Sequence, residues 1–464
     1  MRRLAAIIAL AVLAIAAATI ADYPGAVDII WQGWEVNTSV GVLLASLALL
    51  ALVIWLLLWL ITAAIRLPRN FRRNRRARRR RLGDMALTRG MIAIAAGDGT
   101  VAKRQAERAE WLLGPTPLVL MLAAQVAQLD GDEAGARLRY TALLDQKDAA
   151  LLGLKGLIGQ ALQAGDAAEA LRLAERAHQL RPNAVWTFET LLALRTRAGK
   201  WDAARDTLDA APRRNLLPAL RAQHHRGAIF YEQSLAAELE GDRRRALTLA
   251  ASAQDLLPDI PAAAARHARL LIAEDRRRPA RRVVERAWQK MPHPDLAAIW
   301  GELGGAVPAL ELVPWVEKLA EHNPASPETA VARAEAALAA QLWGEARRHL
   351  GEAIAAAPDG PTRRLCLLMA RLEDSEHPGE GRAREWLDRA LAAVPDPAYL
   401  CAQCGGANTE WRALCAHCQG FDTLSWQASG GARPVPAPVL ADLVAPAPLL
   451  PTPDGLASAG QSVR

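Results

Sequence analysis

The sequence predicts an all-α chain: two N-terminal transmembrane helices, an α-solenoid of helix–turn–helix repeats, and a small four-cysteine module. Three observations carry this. Two charge-free apolar runs stand near the N-terminus, turn signals recur at a fixed step through the middle, and two Cys-x-x-Cys pairs follow them. The composition agrees. The 464 residues are 52% hydrophobic yet include only 4 Phe and 4 Tyr, so the core must be mostly Ala and Leu. Both favour helix, and Ala lets helices approach closely. That apolar fraction excludes a disordered chain, and 5 Cys are too sparse for a disulfide scaffold.

The first apolar run, Leu4–Ala21, lies directly behind Arg2 and Arg3. A cleavable signal peptide shares this layout. No strong Ala-x-Ala cleavage site follows the run, and with the second run close behind this favours a retained helix. Val40–Ile65 is a longer charge-free run, rich in Leu, and about 20 apolar residues cross a bilayer. Trp55 and Trp59 suit the headgroup region, where indole rings settle. Residues 1–65 are thus expected to form a two-span anchor.

Charge sets the orientation. The loop between the runs carries Asp22, Asp28 and Glu35 and no Arg. After the second run come Arg66, Arg69, Arg72, Arg73, Arg75, Arg76, Arg78, Arg79, Arg80 and Arg81, with no acid among them. Taking these ten from the formal +7 leaves −3 for the rest of the chain, so a globally basic nucleic-acid binder is not implied. An Arg cluster at the end of a span marks the cytoplasmic side and contacts anionic lipid. Both termini and everything beyond residues 66–81 are expected in the cytoplasm, with no nucleic-acid partner.

Residues 82–397 carry the repeats. Gly97-Asp98, Gly131-Asp132, Gly165-Asp166 and Gly199-Lys200 recur in steps of 34; after an 8-residue insertion the phase resumes at Gly241-Asp242 and Asp275-Arg276. Small residues follow at fixed offsets: Ala170, Ala174, Ala177, then Pro182; Ala246, Ala250, Ala253, then Pro258; Ala280, Val284, Ala287, then Pro292. Two looser units trail, with Ala346, Leu350, Ala353, Pro358 and Ala383, Leu387, Ala390, Pro395. A period of 34 resembles the tetratricopeptide repeat. Gly takes the left-handed backbone of the turn, Asp caps the next helix, and the Ala face lies where paired helices cross. About eight units are expected, offering a surface that holds other proteins. His224, His225 and Cys366 are read as surface or core residues without chemistry.

Cys401-Ala-Gln-Cys404 and Cys415-Ala-His-Cys418 form two pairs within residues 398–426. Two such pairs fit a tetrahedral, structural zinc site in a ribbon-like module, with Cys401, Cys404, Cys415 and Cys418 as ligands. A single rubredoxin-type iron takes the same ligands. Gly405 and Gly420 give the knuckle turns freedom, and Trp411, Phe421 and Trp426 are expected to surround the site. Residues 427–464 hold seven Pro and read as a disordered tail.

The segment Tyr23–Ser39, with Pro24-Gly25, Trp31, Gly33, Glu35, Thr38 and Ser39, resembles the defining stretch of the HemY family. The resemblance implies a multi-pass inner-membrane protein with cytoplasmic repeats that organises or regulates haem or porphyrin biosynthesis proteins. The cysteine module is similar to the rubredoxin-like end of the LapB family, which implies as an alternative an adaptor acting through a membrane protease in lipopolysaccharide assembly. No P-loop, Gly-x-Ser-x-Gly, His-Glu-x-x-His or Gly-rich dinucleotide motif is present, so no enzymatic activity is expected. Oligomeric state is not legible.

Overall fold

The computed structural model describes residues 26–31, 34–211, 216–357 and 359–427. The first apolar run and the Pro-rich tail therefore lie outside the described residues. Contacts divide the chain into two compact units: residues up to Gly90 with Arg104–Val119, and Met91–Lys103 with residues from Leu120 onward.

In the first unit, Ala26–Trp31 (β1) and Trp34–Ser39 (β2) form an antiparallel hairpin, in register from Ala26 opposite Ser39 to Trp31 opposite Trp34. Its Val, Ile and Trp content favours extended backbone. A single helix, Val40–Ala95, follows at once, its residues from Met91 belonging to the second unit. Its stretch Val40–Ile61 is, among the described residues, the one span long and apolar enough to cross a membrane. The same helix continues through the arginine run. Arg75, Arg76, Arg78, Arg79, Arg80 and Arg81 are exposed on it. Arg66, Arg69, Arg72 and Arg73 lie on the same helix, with side chains outside the described set. The Arg79 guanidinium lies 4.8 Å from the Trp111 ring centre. At Gly83 the backbone comes so close to Leu113 that a Cβ would stand 2.4 Å from its Cγ.

The second unit holds nearly all of the repeats, eight helix pairs from Pro117 to Ala392 among the described residues. The expected turns fall where the spacing puts them. Gly97, Gly131, Gly165, Gly199 and Gly241 all take φ between 67° and 83°, and Asp275 takes the same left-handed backbone at 54°. Asp98, Asp132, Asp166 and Asp242 each accept the backbone N–H three positions on, at 2.8–3.0 Å. Lys200 and Arg276 have no such side chain to offer, and their helices start without a side-chain cap. Ala170, Ala174, Ala177, Ala246, Ala250, Ala253 and Ala280 are at most 1% exposed, as the crossing face requires. In the last pair among the described residues Leu387 is 48% exposed, as suits an end unit.

Two departures shape the array. The pair Pro294–Gly304 and Ala309–Ala320 turns at Gly305 without a Gly-Asp, so the regular step is lost there. It is held instead by Trp300 and Trp315, each indole N–H donating to the other's backbone carbonyl at 2.8 Å. The second departure is the 8-residue insertion between the turns at Gly199 and Gly241. The first helices Pro117–Leu129, Val185–Arg197 and Pro261–Ala273 are each 13 residues long, whereas Ala219–Leu239 has 21 residues. The extra length stands at its N-terminal end, because its C-terminal end still leads straight into the turn at Gly241. The insertion is two added turns of helix.

Turn strain and helix propensity give opposite signs for the same substitution. Gly165→Ala, at φ 74° with nothing near its Cβ position, should cost about 1–2 kcal/mol. Gly351→Ala, in an exposed helix interior with equally open space, should gain about 0.5–1 kcal/mol. Denaturant unfolding of the two variants beside the parent checks both signs.

Candidate metal centre

The module is built on a three-stranded antiparallel sheet, in which Ala398–Cys401 (β3) lies between Ala407–Asn408 (β4) and Leu424–Gln427 (β5). Each Cys pair closes a knuckle with the same bonds. Gly405 N–H donates to Cys401 O at 2.8 Å and Cys401 N–H to Gly406 O at 3.0 Å; Gln419 N–H donates to Cys415 O at 2.9 Å and Cys415 N–H to Gly420 O at 3.0 Å. Gly405 takes the left-handed backbone expected of it, φ 71°. In the second knuckle Gln419, at φ 57°, makes that turn. Gly420 serves a different need, since a Cβ there would meet Gln403 Oε1 at 2.1 Å and Cys418 Sγ at 3.2 Å.

The four sulfurs of Cys401, Cys404, Cys415 and Cys418 lie within 4.8 Å of one another. Cys401 Sγ is 3.6 Å from Cys418 Sγ, and Cys404 Sγ is 3.8 Å from Cys415 Sγ. A tetrahedral shell with metal–sulfur bonds of about 2.3 Å sets sulfurs about 3.8 Å apart, so the cluster can hold a metal ion. Donors already face the sulfurs: Gln403 N–H to Cys401, Gly406 N–H to Cys404, and the Asn408 amide to Cys415. His417 is not aimed at the cluster; its Nε2 lies 2.9 Å from Ala407 O. Cys366 is fully buried in helix Arg363–Glu376, and burial pushes its thiol pKa up, as a structural residue requires.

The aromatic residues expected to surround the sulfurs share one buried cluster with Cys401, Cys415 and Cys418, and they do more. They fasten the module to the repeats. Trp411 is 1% exposed and meets the Tyr231 ring edge-on at 4.8 Å. Phe421 packs on His225, and Trp426 stands 4.2 Å from the His293 ring. Buried beneath them are Ala228, Leu257, Ile260 and Ala263 of the repeats. A module of this size has little interior of its own, so its large side chains find theirs in the solenoid.

Polar contacts fix the register of this seam. Glu232, 4% exposed, receives both Arg412 nitrogens at 2.9 and 2.8 Å and the Ala413 N–H at 2.9 Å. His224 and His225 both lie in the two added turns, and their Nδ1 atoms reach Asp422 Oδ2 at 2.7 and 2.6 Å. Burial opposes ionisation of Asp422, but these two bonds outweigh it and hold its pKa down at about 2. An ionised carboxylate only accepts, so each Nδ1 carries the proton. The hydrogen bond to Asp422 raises the pKa of His224 against the opposing effect of burial. His293 is pushed down to about 4 by burial. Its Nδ1 accepts the Asp295 N–H and caps helix Pro294–Gly304, which leaves Nε2–H to face Tyr399 Oη at 3.3 Å. Sequence reasoning found the four cysteines and missed Glu232, His224, His225, His293, Arg412 and Asp422. The 8-residue insertion was the visible signal.

Residues 25–131 match a family model described as the HemY protein N-terminus. A probable magnetosome protein, Mms48 of Magnetospirillum gryphiswaldense, is 29% identical over 430 residues, covering 88% of this chain and 89% of that one. Among solved structures, Naa15/Naa10 bound to HypK-THB aligns with 67% of this chain and 58% of its own at 14% identity and TM-score 0.40. MamA aligns with 38% of this chain and 93% of its own at 17% identity and TM-score 0.27.

Two measurements test the seam. Arg412→Ala leaves the buried Glu232 carboxylate without its cation and should cost about 2 kcal/mol or more, read as earlier unfolding of the module by tryptophan fluorescence. His224 has its pKa raised in the folded chain, so its contribution is full below its ordinary value of about 6.5 and lost as pH rises through the folded one. Asp422 contributes oppositely, losing its share only as pH falls towards about 2. The stability gap between the parent and His224→Ala should therefore narrow from pH 6 to pH 9.

Proposed function

We propose that this chain, a HemY-like tetratricopeptide-repeat protein, is a membrane-anchored scaffold without catalysis of its own. One observation supports this most directly. A single helix, Val40–Ala95, holds the apolar span, the arginine run and the residues leading to the first repeat turn at Gly97. Anchoring a repeat surface confines its partners to the membrane and raises their effective concentration there. In this reading two spans cross the inner membrane, and the repeats face the cytoplasm. Arg66, Arg69, Arg72, Arg73, Arg75, Arg76, Arg78, Arg79, Arg80 and Arg81 lie towards anionic lipid rather than nucleic acid.

The HemY likeness favours haem or porphyrin biosynthesis proteins as the partners. Cys401, Cys404, Cys415 and Cys418 hold one structural zinc, because four thiolates leave no open position for a substrate. A second reading draws on the Mms48 relative: the same scaffold would then organise proteins of a magnetosome membrane.

Crosslinking in intact cells, followed by purification from membranes and mass spectrometry, separates these readings. Recovery of haem-pathway enzymes, with porphyrin accumulation on deletion, is expected under the first. Magnetosome proteins would favour the second, and a membrane protease would return the LapB-like alternative. Protease added to spheroplasts should leave everything beyond Arg81 uncut. Digestion there with the inner membrane sealed would reverse the topology. Removing residues 1–65 should weaken partner recovery several-fold while leaving the helical circular dichroism of the repeats in place.

A further inference from the structure

The module closes over the first helices of successive repeat units. Phe421 packs beside Phe188 and Leu192 of Val185–Arg197. Trp411, Arg412 and Asp422 engage Ala219–Leu239. Ala262 and Ala263 of Pro261–Ala273 join the same buried cluster, and Tyr399 and Trp426 meet His293, which caps Pro294–Gly304. A repeat array recognises partners through a surface of this kind. Here the chain's own C-terminal part fills it.

The contacts hang on the two knuckles. Trp411, Arg412 and Ala413 lie between the Cys pairs, and Ala413 O accepts the N–H of Asp422 at 2.7 Å. Trp411 and Arg412 therefore sit on the loop that the two Cys pairs bound, and Asp422, just beyond the second pair, is bonded to it, while Tyr399 and Trp426 stand on β3 and β5. Without a metal, the four cysteines would no longer be tied together, and the module would keep only the knuckle hydrogen bonds, the seam and thin strands of four, two and four residues.

We propose that the module is a metal-held cover over an interaction surface of the repeats: metal at the four cysteines keeps the surface closed, and its loss opens it. The surface uncovered is apolar, made of Ala228, Tyr231, Leu257, Ile260 and Ala263, with the carboxylate of Glu232 in its midst. Opening is local. The helix pair Ala150–Leu180 and the helices Trp343–Ala355 and Arg363–Glu376 have cores without module residues, in two other clusters, and stay folded. The inference rests on the metal reading of the cysteines.

Hydrogen exchange on the full chain in detergent micelles, with metal content measured in parallel, tests it. In the zinc-loaded protein, amides of residues 222–232 and 257–265 should be protected. Removing zinc with a chelator should speed their exchange at least tenfold and leave residues 150–180 unchanged. Arg412→Ala should keep one zinc per chain and still show the faster exchange at 222–232. Should that variant fail to fold, the double change His224→Ala and His225→Ala removes only the donors to Asp422 and should act the same way. Exchange that changes only within residues 398–427 on chelation overturns the cover. Loss of protection across the whole solenoid overturns it too, since the metal would then be a general staple. A chain that binds no zinc fails earlier, on the metal reading itself.

Discussion

A left-handed residue at each repeat turn is the constraint on which this array depends. Two antiparallel helices must reverse within a very short turn, and the reversal is closed by the same long-reach bond each time. Asp132 N–H donates to Ala127 O, Asp166 to Ala161, Asp242 to Ala237 and Arg276 to Leu271, all at 2.8 Å. Such a bond forms only if the residue before the donor has positive φ. Gly supplies this without strain at Gly131, Gly165 and Gly241, and Asp275 supplies it against the steric preference of its Cβ. Once that angle is fixed, the second helix starts at a set place. The face carrying Ala170, Ala174 and Ala177 then meets its partner at close range.

Close range has a consequence for stability. Ala buries little area, so each crossing is tight but individually weak, and the units rely on their neighbours. Large side chains are scarce and their placement matters. The fully buried side chains of greatest volume include Trp288, Trp300, Trp411, Tyr399 and Phe188. Trp288 and Trp300 hold the irregular part of the array, where the turn signal fails. Trp411 and Tyr399 belong to the cysteine module and are buried against the repeats. Four of these five side chains thus stand where the regular Ala-based packing ends. At about 1.5–3 kcal/mol for each large apolar side chain buried, these two residues alone supply a substantial part of what holds the module in place.

What the sequence could reveal follows from range. Positive φ and capping are local, so Gly131, Gly165, Asp132 and Asp166 announced their roles through identity and spacing alone. The cysteine knuckles were legible for the same reason, each being a short loop with a known donor set. Trp411, Phe421 and Trp426 were legible as buried, but not what buries them. Glu232 and Arg412 are 180 residues apart, and His224 and Asp422 are 198 apart. One sequence contains nothing that ties such positions together. The hairpin Ala26–Ser39 was not read as strands, and the pair Pro294–Ala320 was hidden because its turn abandons the Gly-Asp signal.

The insertion and the module explain each other. The two added turns at the start of the first helix find no counterpart in its partner helix Arg243–Leu256, which keeps the ordinary length of 14 residues; within the repeats they bury Ala222 and pair Arg226 with Asp209. They carry His224 and His225, whose Nδ1 atoms are the donors that meet the buried Asp422. Without them that carboxylate would be charged and unpaired in a place only 3% exposed, at a cost that would unseat the module. Without the module, the two His would lose the carboxylate they meet. Insertion and cysteine ribbon therefore form one device. A sequence of this type that lacked the four cysteines should also lack the insertion, and its fifth repeat turn should follow the fourth at the same step that separates Gly131 from Gly165.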